Sequence, residues 1–187
     1  MFGPIYFLSG DGYPTDAHVD RELQRRLSPS FSKWIGQKEI YHPTHESFRM
    51  DDFSRRTEHL EAYLAAQEHA GSFILMGRSS GARLATLYAS RHPVSAIVCL
   101  GYPFRNPAQG PQPERYLHLA ELRVPTLICQ GLQDEYGGRN IFGDYALSPS
   151  LRVHLLHAEH EFNISSDAWD SVARIILEFC QDVLRRD

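Results

Sequence analysis

Six short apolar runs punctuate the chain: Ile5 to Ser9, Glu39 to His42, Phe73 to Gly77, Ala96 to Gly101, Thr126 to Gln130 and Arg152 to Leu156. They are near-continuous in Ile, Val, Leu and Phe rather than alternating, which suits strands covered on both faces of a parallel sheet. Between them, apolar residues recur at helical spacing. Asp16 to Leu27 carries Val19, Leu23 and Leu27 in register, and Asp51 to Ala70 carries Phe53, Leu60, Tyr63 and Leu64. Ser80 to Arg91 reads as a further helix. A closing segment places Trp169, Val172, Ile175, Ile176, Phe179, Val183 and Leu184 on one helical face. Strands alternating with such helices predict right-handed crossovers, hence an α/β, doubly wound, mostly parallel sheet with helices on both faces. One stretch has no period: Tyr102 to Arg115, with prolines at 103, 107, 111 and 113. It is a long loop, either an exposed connector or a segment flanking the active site.

Composition narrows the class. At 187 residues and 42% hydrophobic content, the chain can bury one substantial core, so residues 1–187 are expected to form a single domain. Charged residues make up 22%, the formal net charge is -4, and no Lys/Arg block occurs. The electrostatic footprint of a nucleic-acid or anionic-membrane binder is missing, which favours small-molecule chemistry. No apolar run reaches the roughly 20 residues needed to span a bilayer. The N-terminus lacks a signal peptide's basic start and cleavage site, so a cytoplasmic location is expected. Cys99 and Cys129 sit in apolar runs and Cys180 falls on a helix, with no Cys-x-x-Cys pair. They are expected to be buried, reduced thiols.

The candidate chemistry starts at Gly77-Arg78-Ser79-Ser80-Gly81, directly after an apolar run and directly before a helical stretch. A Gly-x-Ser-x-Gly pentapeptide in that setting implies a very tight strand-to-helix turn that presents the serine hydroxyl, with glycines where side chains would obstruct it. A serine hydroxyl is a poor nucleophile unless a histidine takes its proton and a carboxylate orients that histidine. In a parallel sheet, such partners gather in the loops after the strands. Gly131-Leu132-Gln133-Asp134-Glu135 follows one strand, with Asp134 placed toward Ser79 and Glu135 as its neighbour. His157-Ala158-Glu159-His160-Glu161-Phe162 follows another and offers two histidines. The spacing of His157, His160 and Glu161 matches no zinc-binding motif, so no metal site is expected.

With these segments in place, the chain resembles the alpha/beta-hydrolase superfamily over nearly its whole length. Gly-Arg-Ser-Ser-Gly, Gln-Gly-Leu-Gln-Asp and Glu-His-Glu-Phe look like its nucleophile, acid and histidine motifs. Gly77-Arg78-Ser79-Ser80-Gly81-Ala82-Arg83, Leu100-Gly101-Tyr102-Pro103 and Val124-Pro125-Thr126 are similar to a narrower branch. That branch holds small lidless hydrolases related to dienelactone hydrolase and to the hydrolase-like third subunit of the non-specific-lethal histone acetyltransferase complex. The resemblance implies a six-stranded sheet of order 2-1-3-4-5-6 without a lid domain. It also implies the triad Ser79, Asp134 and His160, with His157 too close to its strand. The oxyanion hole is implied to use the N–H groups of Ser80 and Asp11. The loop after the first strand reads Ser9-Gly10-Asp11-Gly12, where relatives commonly have His-Gly-x-Gly. The Asp11 side chain is expected to turn away, toward the helix starting near Asp16 or toward solvent.

The expected activity is that of a serine esterase or thioesterase acting on a small-molecule acyl substrate without a cofactor, failing as pH falls through the titration of His160. The alternatives are a hydrolase of lactones or carbon–carbon bonds, and an inactive hydrolase-fold binding or scaffold protein.

Overall fold

The computed structural model describes residues 1–41, 52–67, 73–110 and 112–184. Its centre is a six-stranded, all-parallel sheet of β1 (Ile5–Leu8), β2 (Trp34–Ile35), β3 (Ile74–Arg78), β4 (Ala96–Leu100), β5 (Thr126–Gly131) and β6 (Leu151–Leu156), in the order β2-β1-β3-β4-β5-β6. This is the alpha/beta-hydrolase order that the resemblance implies. The helices are α1 (Ala17–Leu27), α2 (Gln37–Tyr41), α3 (Phe53–Ala65), α4 (Ser80–Ala89), α5 (Ile141–Asp144) and α6 (Ser166–Leu184).

Strand residues alternate between two cores. Ile5 and Phe7, Ile74 and Met76, and Ala96, Val98 and Leu100 pack with Val19, Leu23 and Leu27 of α1 and with Trp169, Val172 and Ile176 of α6. Tyr6 and Leu8, Leu75, and Ile97 and Cys99 pack on the other face with Leu60 and Leu64 of α3 and Leu84 and Ala85 of α4. Because both faces are covered, the strands read as continuous apolar runs rather than alternating ones. Burying a side chain such as Leu23 or Ile176 stabilises the fold by about 1.5–3 kcal/mol. The three cysteines are free and buried. Burial pushes the thiols of Cys129 and Cys180 up to about 12, which leaves them protonated. Among the described residues, no helix is long and apolar enough to cross a membrane.

One expected strand is wrong. Glu39 to Tyr41 lie in α2, His42 lies outside the described residues, and β2 is instead Trp34–Ile35, paired in parallel with Ile5 and Tyr6. The reason is visible in α2: Gln37, Ile40 and Tyr41 are buried while Lys38 and Glu39 are exposed. That is one turn of helical spacing rather than a strand. The strand that takes its place has two residues, too few to register as a run. Asp51 and residues 68–70 of the helix expected over Asp51 to Ala70 also lie outside the described residues.

Candidate active site

All six strands run the same way, so the loops after β1, β3, β5 and β6 meet at one edge of the sheet. Ser79 sits between Arg78, which ends β3, and Ser80, which begins α4, with φ 50° and ψ -121°. A non-glycine residue reaches that conformation only under steric constraint. The constraint comes from both sides. A Cβ on Gly77 would stand 2.4 Å from the Ala82 nitrogen, and one on Gly81 would stand 2.1 Å from the Leu8 carbonyl oxygen. The main-chain N–H of Ser79 is held by Leu100 O at 3.0 Å, and its carbonyl accepts from Ala82 and Arg83, which starts the helix.

Asp134 is buried in the turn after β5. Its carboxylate accepts from the Tyr136 N–H at 2.8 Å and from Gln130 Nε2 at 2.9 Å, and each oxygen lies 2.9 Å from His160 Nδ1. Gln130 is itself fully buried and ties this turn to Tyr102 and to the Gly137 carbonyl. The other imidazole nitrogen, Nε2, stands 3.0 Å from Ser79 Oγ. Tyr136 packs its ring on His160, with centroids 4.1 Å apart. The neighbours that competed on sequence lie elsewhere: Glu135 and His157 are both exposed. The His160 loop is anchored by Phe162, fully buried near Trp169.

Ser79 and His160 open onto a cleft of about 270 Å³ that Gly10, Asp11, Ser80 and Tyr136 also line. Among the described residues, the main-chain N–H groups of Asp11 and Ser80 donate to no protein acceptor. The loop beginning at Tyr102 borders this cleft through Pro103, Asn106 and Arg115. Tyr102 and Phe104 point into the core instead.

The Asp11 side chain is 59% exposed, in keeping with the expected direction toward solvent, yet it is also tied down on one side. Its Oδ1 accepts from Arg56 Nη1 at 2.9 Å and from Ser80 Oγ at 2.6 Å. The cause is Arg56, a fully buried guanidinium that also donates to Ser80 Oγ and to the Ser9 carbonyl. A buried cation draws the nearest carboxylate to itself. Asp16 is buried too. Rather than capping α1 with its side chain, it accepts from the Gly10 N–H at 3.0 Å, which shapes the loop after β1.

Sequence reasoning missed Gln130, Arg56 and the part played by Arg78. Arg56 had a signal: it shares a helical stripe with Leu60 and Leu64, where a charge is out of place. Arg78 is buried, with Nη2 donating to the His160 carbonyl at 2.6 Å and Nη1 lying 3.1 Å from His160 Nε2. Its nearest carboxylate partner, Glu161, is 3.7 Å away. Among the described residues, no group of three or more His, Cys, Asp or Glu side chains could hold a metal ion.

A model of the alpha/beta hydrolase domain matches residues 42–185. The chain belongs to the alpha/beta hydrolase family. No curated protein sequence matches this alpha/beta hydrolase significantly. Solved structures do. A Xanthomonas campestris pv. campestris protein assigned to the alpha/beta superfamily of hydrolases is 19% identical, with a TM-score of 0.68 over 95% of this chain and 99% of that one. An alpha-beta serine hydrolase homologue from Coxiella burnetii is 20% identical, with a TM-score of 0.68 over 95% and 84%. The esterase domain of a Rhodothermus marinus protein is 15% identical, with a TM-score of 0.63 over 96% and 86%. At these identities the likeness is one of fold. The family match places the chain among the alpha/beta hydrolases, and these neighbours share its fold.

Proposed function

We propose that this alpha/beta hydrolase is a serine hydrolase of esterase or thioesterase type, with Ser79 as nucleophile, His160 as general base and Asp134 as the group that orients His160. The carrying observation is the continuous hydrogen-bond chain from Ser79 Oγ through both nitrogens of His160 to a buried carboxylate. Oγ attacks the acyl carbonyl carbon while its proton passes to Nε2. The carbonyl oxygen becomes an oxyanion, for which the unengaged N–H groups of Ser80 and Asp11 are the donors. Collapse expels an alcohol or thiol, which takes the proton from His160 and leaves an acyl-enzyme. Water, deprotonated by His160, adds to the acyl carbon, and Ser79 Oγ leaves with that proton, which releases the acid. Arg56 makes Asp11 compatible with this chemistry by neutralising its carboxylate.

The Gly-Arg-Ser-Ser-Gly-Ala-Arg segment supports placing the chain in the small lidless branch related to dienelactone hydrolase, as one domain. Three buried, unpaired thiols fit a reducing, cytoplasmic setting. The test is labelling by a fluorophosphonate probe. The wild type is expected to form a stable adduct on Ser79 that Ser79→Ala abolishes. Equal labelling of the two, or an adduct mapped elsewhere, overturns the assignment.

A further inference from the structure

Two donors converge on one lone pair in this site. His160 Nε2 lies 3.0 Å from Ser79 Oγ and 3.1 Å from Arg78 Nη1. A guanidinium only donates, so the nitrogen that faces it must be the acceptor. Nδ1, between the two oxygens of Asp134, must then carry the proton. Resting on the proposed triad, we infer that Arg78 is a positioning residue that holds His160 as the Nδ1–H tautomer at rest and must yield Nε2 when His160 becomes charged.

The arrangement is built rather than incidental. Arg78 is 2% exposed, and its second amino group clamps the His160 carbonyl at 2.6 Å, so the guanidinium grips ring and backbone together. Its Nε is buried without a partner among the described residues. Burial pulls the Arg78 side chain below its usual range, while Asp16, Glu161 and Asp134 oppose that shift. Once Nε2 takes the serine proton, two N–H groups and two positive charges face each other at contact distance, which is repulsive. The relief available is Glu161, whose Oε2 stands 3.7 Å from Nη2 on a mostly exposed side chain. Other groups facing His160 are Asp134 and Tyr136 from the loop after β5 and Ser79 from the start of α4. Asp134 attracts the charged ring and Arg78 repels it.

The experiment has two readouts. The first is the rate of fluorophosphonate labelling of Ser79 against pH in wild type, Arg78→Gln and Arg78→Lys. Arg78→Gln keeps a donor and loses the charge, and its acid limb is expected to move about one pH unit higher. Arg78→Lys keeps the charge and is expected to hold the wild-type midpoint. A lower rate in Arg78→Gln with an unmoved midpoint means simple packing and overturns the inference. The second is the ¹⁵N spectrum of the His160 imidazole in Ser79→Ala, assigned by its loss in His160→Gln. A protonated Nδ1 and bare Nε2 at neutral pH are expected, and the opposite tautomer overturns the inference. This readout needs neither turnover nor a folded Arg78 variant, so it separates failure of the inference from failure of the proposed activity.

Discussion

Arg56 Nη1 donates to Asp11 Oδ1 at 2.9 Å, joining the middle of α3 to the loop after β1 at the mouth of the cleft. Ser80, the residue after the candidate nucleophile, closes the triangle: its Oγ donates to the same oxygen and accepts from the same guanidinium. Arg56→Met should therefore remove the counter-charge of the Asp11 carboxylate beside the proposed oxyanion site. Hydrolysis is expected to slow about tenfold, equivalent to ~1.4 kcal/mol in the barrier. Adding Asp11→Asn to that variant should recover part of the rate. Steady-state rates of the two variants on a short-chain acyl ester check this, and a double variant no faster than the single one would rule out the charge argument.

The turn at Ser79 depends on main-chain contact, which no rotamer change can relieve. Gly81→Ala would press a Cβ to within 2.1 Å of the Leu8 carbonyl oxygen and is expected to cost about 3 kcal/mol or more. Gly12→Ala, with no atom within 4 Å of the added Cβ, should stay within about 0.5 kcal/mol of wild type. Denaturant unfolding of both variants compares them directly.

Asp134→Asn keeps the shape of the side chain and removes the charge that faces Nδ1. An amide can donate where the carboxylate only accepts, so a donor at Nδ1 competes with Arg78 at Nε2 for the ring's single lone pair. The expected fall in kcat is about 10³–10⁴-fold with little change in KM. A loss under tenfold would place the orienting carboxylate elsewhere.

His118 gives the fold a pH dependence separate from the active site. It is packed against Thr86, with Nε2 2.9 Å from Thr86 Oγ1, and burial followed by the charge of Arg83 lowers its pKa from 6.5 to about 4. The unfolded chain therefore binds a proton that the folded one refuses between these values. Stability from this group is complete above pH about 6.5 and is lost as pH falls toward about 4, by up to about 3 kcal/mol in all. Urea midpoints measured across that range should fall in the wild type, and His118→Gln should flatten the slope.

Ser79, Asp134 and His160 were legible in the sequence because each follows an apolar run, and parallel strands bring every such loop to one edge. The tight turn was legible for the same kind of reason: Gly77 and Gly81 flank the serine at the two positions where a Cβ has no room. Periodicity failed at β2, where two residues leave no pattern and a single helical turn with apolar Ile40 and Tyr41 reads as a strand.

What the sequence determined by itself was whatever depends on local pattern: every strand but β2, most helices, and the order in which candidate groups leave the sheet. Tertiary structure alone decided the pairings across it, in which Arg56 reaches Asp11 across 45 positions and Arg78 reaches His160 across 82. A charge in a sequence carries no mark of its partner. Burial withdraws water and obliges it to find one, and only the folded chain fixes which group is near enough to answer.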